Sequence, residues 1–185
     1  MSSPKTIKRL EAVEVYSNYY GTLFNDHVLA PNGTRGRYLR WHWAENGIVV
    51  IPFDGHAIAL TRNYRYPIGE ESLEFPRGAA GALEKPETAA TRELREEAGL
   101  QTSSTQTLGE IFPETGMIEN PVQVILAKVV SRQQDAQNHE TMESISKELL
   151  WLNASELDDH IKRGKIRCGI SLAALLLLHN AGIFP

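Results

Sequence analysis

The segment RELREEAGL, Arg92 to Leu100, carries Glu93, Glu96 and Glu97. On an α-helix these are positions i, i+3 and i+4, so the carboxylates leave one face, stacked one above another. Like charges at that spacing repel and weaken the helix unless a cation neutralises them. Hard divalent ions such as Mg2+ take carboxylate oxygens together with the oxygens of a phosphorylated substrate, so phosphate chemistry at a metal is one reading of the cluster. A solvated, charge-rich helix face is the other, and the interleaved Arg92 and Arg95 neutralise part of the charge in either case.

For the carboxylates to share a face, the segment before Gly99 must be helical. The spacing predicts this: Pro86 suits a first turn, Glu87 complements the positive helix end, and Ala90, Leu94 and Ala98 recur at i, i+4 and i+8. Gly99 stands where such a helix stops. Ahead of it the sequence reads as strands, with AVEVYSNYYGTLFNDHVLA, RYLRWHWAE, the apolar run NGIVVIPF, then HAIALTRNYRY and ESLEFPRG. Asn32-Gly33 is a hairpin signal. Strand patterns return at TQTLGEIF, VQVILAKVV and KELLWL. The C-terminal part is helical: Asn153 and Ser155 are both candidate caps of a helix closed by Gly164, and Ser171 is the expected cap of LAALLLLHN. Strands before, between and after a few helices predict an α+β sandwich in preference to a doubly wound sheet.

Composition narrows the function classes. With 185 residues, 42% hydrophobic and 23% charged, the chain is expected to bury one sizeable core. A formal charge of −4 offers no general attraction to nucleic acid or anionic lipid, so neither is an expected partner. Cys168 is the single cysteine, which excludes an intramolecular disulfide. The first residues lack the apolar stretch of a signal peptide, and the run Leu172 to Leu178 is far shorter than the roughly 20 residues of a membrane span. A cytoplasmic setting is expected, with Leu172 to Leu178 as a core helix.

From Gly78 the chain reads Gly, five residues, Glu84, seven residues, then Arg92-Glu93-Leu94-Arg95-Glu96-Glu97-Ala98-Gly99-Leu100. This resembles the Nudix box, G-x5-E-x7-R-E-U-x-E-E-x-G-U with U a bulky aliphatic, at every fixed position. The resemblance to the Nudix hydrolase family implies an α/β/α sandwich with a mixed sheet and an N-terminal antiparallel strand region. It implies cleavage of a nucleoside diphosphate linked to another group. It also implies Glu93 and Glu97 as principal ligands of Mg2+ or Mn2+, with Glu96 a further ligand or a catalytic neighbour through water. Glu84 and Arg92 are then structural, and Gly78, Gly81 and Gly99 serve tight backbone geometry and close metal approach.

The resemblance extends over most of the chain. RNYRYPIGEESLEFPRGAAG is similar to the approach strand of ADP-ribose and nucleoside diphosphate sugar pyrophosphatases. That likeness implies Arg65 as a contact to the substrate's phosphates or distal sugar and Glu74 as the acidic residue ahead of the box. Asn63 stands where glutamine is usual, and Arg77 replaces the alanine whose carbonyl serves the metal in that family, a role its own carbonyl can fill. FPETGMIEN places Pro113 near the family's proline-containing loop, with Glu114 and Thr115 intervening before Gly116, and SELDDHIKRGKIRCGISLAALLLL resembles the closing helix pair. The catalytic base is implied on NHETMESISKELL, with Glu143 preferred to Glu140 and His139 a weaker competitor. Trp41 and Trp43 share a strand face and are candidates either for stacking on a base or for packing. In the relatives, N-terminal strands exchange across a homodimer, which makes Trp41, Trp43, Arg37 and Arg40 candidates for a shared substrate pocket and Tyr19 and Tyr20 for its interface.

The expected organisation is an N-terminal strand region, residues 1–50, and a Nudix domain, residues 51–185. The expected activity is Mg2+-dependent hydrolysis of a nucleoside diphosphate sugar, ADP-ribose or an ADP-sugar first. The alternatives are a hydrolase of noncanonical nucleoside triphosphates and a non-catalytic nucleotide-sugar sensor.

Overall fold

A computed structural model describes residues 6–132 and 144–184 of the protein. Its fold class is α+β, as expected, and the chain falls into two units: the N-terminal residues to Glu45 together with Phe112–Pro121, and Asn46–Ile111 together with Val122–Pro185.

The first unit is an antiparallel sheet of β1 (Lys8–Glu11), β2 (Glu14–Asn18), β3 (Gly21–Leu29) and β4 (Arg35–Trp43). The strand β3 is central: β1 and β2 pair with its two halves and β4 runs along its whole length, from Gly21 opposite Trp43 to Leu29 opposite Arg35. Gly33 (φ 86°) turns the β3–β4 hairpin, and the Asn32 carboxamide accepts from the Thr34 N–H at 3.0 Å. Under the sheet the 3% exposed Asp26 carboxylate accepts from Arg40 Nε at 2.7 Å and the Val13 N–H at 3.3 Å. Residues 112–121 add a further edge, because Trp41 N–H donates to the Met117 carbonyl at 2.8 Å and Glu119 N–H to the Trp41 carbonyl at 3.0 Å.

The second unit holds β5 (Asn46–Phe53), β6 (Ile58–Arg65), a 3-10 turn (Tyr66–Ile68), β7 (Glu70–Glu74), β8 (Arg77–Ala80), α1 (Pro86–Ala98), β9 (Thr102–Ile111), β10 (Val122–Val129), β11 (Ser144–Leu152), α2 (Ala154–Lys162) and α3 (Gly169–Asn180). Seven strands form one mixed sheet in the order β11-β6-β5-β10-β9, with β7 added on β6 and β8 on β5. The strand β10 runs parallel to β5, and the remaining pairs are antiparallel. Ile48 to Ile51 are at most 1% exposed, the mark of a strand covered on both faces. One face is covered by α1: Ala90, Leu94 and Ala98 pack with Ile48, Val50, Ile125 and Ala127. Period-two alternation leaves Val49, Ile51, Val124 and Leu126 for the opposite face, and α3 packs on β5, β9 and β10.

Helix ends follow the sequence with one correction. The first helical position of α1 is Pro86, and Gly99 (φ 62°) terminates it with its N–H on the Leu94 carbonyl. Asn153 forms a capping box with Glu156, and Ser155 lies inside α2, its hydroxyl on the Asn153 carboxamide at 2.8 Å. Ser171, expected as the cap of α3, is not one: the helix begins earlier, with Cys168 at the N-cap position. The Ser171 hydroxyl, fully buried, instead accepts from the Phe75 N–H at 3.1 Å and so holds the turn between β7 and β8. The apolar run is core along one stripe alone, since Ala174 and Leu178 are buried while Leu172 and Leu176 are exposed. Among the described residues no helix is long and apolar enough to cross a membrane.

Ser171→Ala strips a buried N–H of its acceptor, a change that costs about 1–3 kcal/mol. Urea unfolding should show that loss with an unchanged m-value; a loss under about 0.5 kcal/mol would mean that Phe75 N–H finds another acceptor.

Candidate active site

The box carboxylates gather around one arginine. The Arg92 guanidinium donates from Nε to Glu84 Oε1 at 3.2 Å and from Nη2 to Glu84 Oε2 at 3.1 Å. It donates from Nη1 to Glu93 Oε1 at 2.8 Å and Glu96 Oε2 at 3.2 Å, and from Nη2 to the Ala79 carbonyl at 2.9 Å. All three nitrogens are therefore committed, and Arg92 ties the loop after β8 to the helix that follows. Glu84, ahead of every other cause, raises the affinity of Arg92 for its proton.

Gly78 explains how the loop approaches so closely. A Cβ there would stand 2.2 Å from the Glu93 carboxyl carbon, well inside contact distance. The glycine is required by the lack of a side chain; it faces α1 in the register that pairs it with Ile48.

Glu97 lies one turn beyond Glu93, and its carboxyl is pushed up to about 7. Loss of water in its recess is the first cause and the negative charge of Glu93 the second, while Arg65 and Arg77 pull the other way. The residue as a whole is exposed, so solvent moderates the effect while leaving its sign.

The end of β6, the end of β7 and the start of β8 bring Arg65, Glu74 and Arg77 together. Arg65 grips Glu74 with Nε at 3.2 Å from both carboxylate oxygens and Nη2 at 2.7 Å from Oε2, while Arg77 Nη2 reaches the same Oε2 at 2.5 Å. Burial, to 3% exposure, would push Glu74 up; the Arg65 hydrogen bonds and the Arg77 charge overturn this and hold it below the ordinary carboxylate range. Because both arginines act on Glu97, Arg65, Glu74, Arg77 and the α1 carboxylates form one neighbourhood.

The donor set suits a hard divalent cation: it consists of carboxylate oxygens, with Glu97 coupled by like charge to Glu93 and Glu96, which a cation would relieve. Among the described residues no three His, Cys, Asp or Glu side chains converge as a ready cage; Glu93, Glu96 and Glu97 are the residues that would hold the ion. The fit rests on donor chemistry and helix spacing.

Trp41, Trp43, Arg37 and Arg40 are on β4 in the first unit. Arg40 is committed there to Asp26 and Glu119, with its guanidinium 3.8 Å over the Phe24 ring, and Trp41 lies against the Gly21 backbone. Arg37 is exposed and reaches the Asn25 carbonyl at 3.5 Å. Glu140, Glu143 and His139 lie outside the described residues. For Arg77 the sequence points to the backbone carbonyl, and the structure adds the side chain; the signal for it is a cation standing three residues after Glu74.

Glu97 links the site to pH. Its folded-state value lies above the ordinary 4.5, so its stabilising contribution is complete below about pH 4.5 and is lost as pH rises through about 7. Glu74 and Glu84, which are lowered, lose theirs as pH falls below the ordinary carboxylate value, outside this window. In EDTA the Tm should therefore drop by about 2–4 °C between pH 5.5 and 8, after allowance for solvent screening. Glu97→Gln should flatten that slope; an unchanged slope would assign it to another group.

A NUDIX domain profile matches residues 43–168. The chain is 29% identical over 174 residues to an ADP-ribose pyrophosphatase of Mycobacterium tuberculosis, covering 91% of this chain and 83% of that protein. It is 26% identical over 160 residues to a methanol dehydrogenase activator of Bacillus methanolicus, covering 86% and 85%. A crystal structure described as that of an ADP compounds hydrolase shares the fold, with a TM-score of 0.83 at 18% identity over 97% of this chain and 96% of that one. With the profile spanning more than half its length and the box carboxylates gathered as described, the chain belongs to the Nudix hydrolase family.

Proposed function

We propose that this protein hydrolyses the diphosphate of a nucleoside diphosphate sugar, ADP-ribose or an ADP-sugar first, to a nucleoside monophosphate and a sugar phosphate, with Mg2+ as its metal. The observation that supports the reading is that the α1 carboxylates share a neighbourhood with Arg65, Glu74 and Arg77, so that negative and positive side chains are both at hand for a cation and a diphosphate. Two relatives named ADP-ribose pyrophosphatase, from Mycobacterium tuberculosis and Bacillus subtilis, support the substrate class.

Glu93, Glu96 and Glu97 would hold the cation, with the Arg77 carbonyl as a further oxygen ligand. When bound, the cation supplies Lewis-acid polarisation of the diphosphate oxygens and of water, whose attack is otherwise repelled by the anionic substrate. Arg65, fixed by Glu74, orients the diphosphate or the distal sugar; the fixed guanidinium spares the entropy of arranging a long side chain at the moment of binding. Arg92 holds Glu93 and Glu96 in place from behind. A base on residues 138–150, Glu143 before Glu140, takes the proton of the attacking water. One P–O bond to the bridging oxygen breaks, that oxygen leaves with one phosphate, and water adds to the other phosphorus. A homodimer with exchanged N-terminal strands, in which Trp41, Trp43, Arg37 and Arg40 reach substrate, completes the reading.

Hydrolysis of ADP-ribose, ADP-glucose, UDP-glucose, GDP-mannose, diadenosine polyphosphates and nucleoside triphosphates with Mg2+, scored by product identity, should place the nucleoside diphosphate sugars first. Glu97→Gln should lower kcat by about 100-fold or more with folding intact. Full turnover by that variant, or activity confined to triphosphates, would defeat the proposal.

A further inference from the structure

We propose that the Arg77 side chain is itself a substrate ligand, a second guanidinium that takes the diphosphate beside Arg65. The inference rests on the function proposed above and deepens it: the affinity contributed by Arg77 is for the diphosphate common to all candidate substrates, not for base or sugar.

Arg92 and Arg77 occupy the same neighbourhood in opposite conditions. Arg92 commits every nitrogen to protein acceptors. For Arg77, the single hydrogen bond among the described residues runs from Nη2 to Glu74, which leaves most of a five-donor fork uncommitted. Its Nε is buried and has no partner among the described residues, a condition that a folded protein seldom leaves uncompensated. The side chain nonetheless keeps 28% of its surface open, so an incoming group can reach the fork.

Glu74 sets the direction of that fork. Buried to 3% exposure and already gripped by Arg65, it anchors Arg77 by one nitrogen and leaves the rest of the guanidinium without a protein acceptor among the described residues. Two guanidinium groups on one buried carboxylate carry a net positive charge, which is balanced when an anion arrives. A planar fork of donors matches the oxygens of a phosphate better than an ammonium does. Phosphate oxygens are therefore the acceptors that this arrangement fits.

Arg77→Ala tests it without unfolding the site, because Arg65 continues to pair Glu74. Titration calorimetry with Mg2+ and α,β-methylene-ADP, whose diphosphate is not hydrolysed, should show binding about 10- to 100-fold weaker in the variant, the loss expected for a charged hydrogen-bonding group. The KM values for ADP-ribose and for UDP-glucose should rise by that same factor, with kcat within about threefold of wild type. An unchanged Kd, with or without a lower Tm, would overturn the inference and leave Arg77 a structural partner of Glu74. A KM rise confined to one of the two substrates would also overturn it, by assigning the contact to base or sugar. Failure of the wild-type protein to hydrolyse any nucleoside diphosphate sugar would instead sink the parent reading, and the calorimetric result separates the two.

Discussion

Mutual repulsion of carboxylates on one helical face is the constraint around which the second unit is arranged. At about 4 Å two unit charges repel by about 4 kcal/mol in an effective dielectric near 20, which is comparable to much of a domain's net stability. The chain meets this by placing Arg92 one residue before Glu93 and one turn before Glu96, so that one guanidinium answers both and Glu84 as well. That solution requires the loop after β8 to lie against the helix, where the Ala79 carbonyl takes a further N–H. It requires Gly78 too, since the space a side chain would fill is already taken by Glu93. Glu97 has no such hydrogen-bonded partner among the described residues, and its carboxyl is pushed up first by burial and second by the charge of Glu93.

The sheet supplies the opposite charge. Strands β6, β7 and β8 carry Arg65, Glu74 and Arg77, and the Glu74 carboxylate fastens two cations that would otherwise repel each other. Ser171 reaches from α3 to hold the backbone at Phe75, between Glu74 and Arg77, so a helix on the far face of the sheet fixes the spacing of these groups. The positively and negatively charged halves of the neighbourhood thus come from different elements, and their juxtaposition is a property of the fold.

Much of this was legible in the sequence because its signals are local. The α1 helix announced itself through Pro86, the Ala90, Leu94, Ala98 period and Gly99, and the carboxylate face followed from spacing alone. The continuous run Ile48 to Ile51 marked a doubly covered strand. What could not be read was non-local. Ser171 looked like a cap because serine favours caps, but its partner is Phe75, ninety-six residues away in sequence. That Arg40 would pair with Asp26 and Glu119, or that Arg92 would reach the Ala79 carbonyl, depends on pairings that no window of sequence contains. The exposed Leu172 and Leu176 show the same limit, since hydropathy gives a run its character but not its orientation.

The excursion of Phe112–Pro121 away from the second unit bears on the order in which the chain can fold as it is synthesised. The edge of β4 finds its partners at Met117, Ile118 and Glu119, and Trp43 finds its own at Asn120. A nascent chain that has completed β4 must therefore wait for most of the second unit's strands and all of α1 to be made before the first unit can close. The first unit's sheet, although its strands β1 to β4 are made ahead of the second unit, cannot be finished until residue 121 has been added, and its assembly carries the slow, long-range loop closure typical of high contact order.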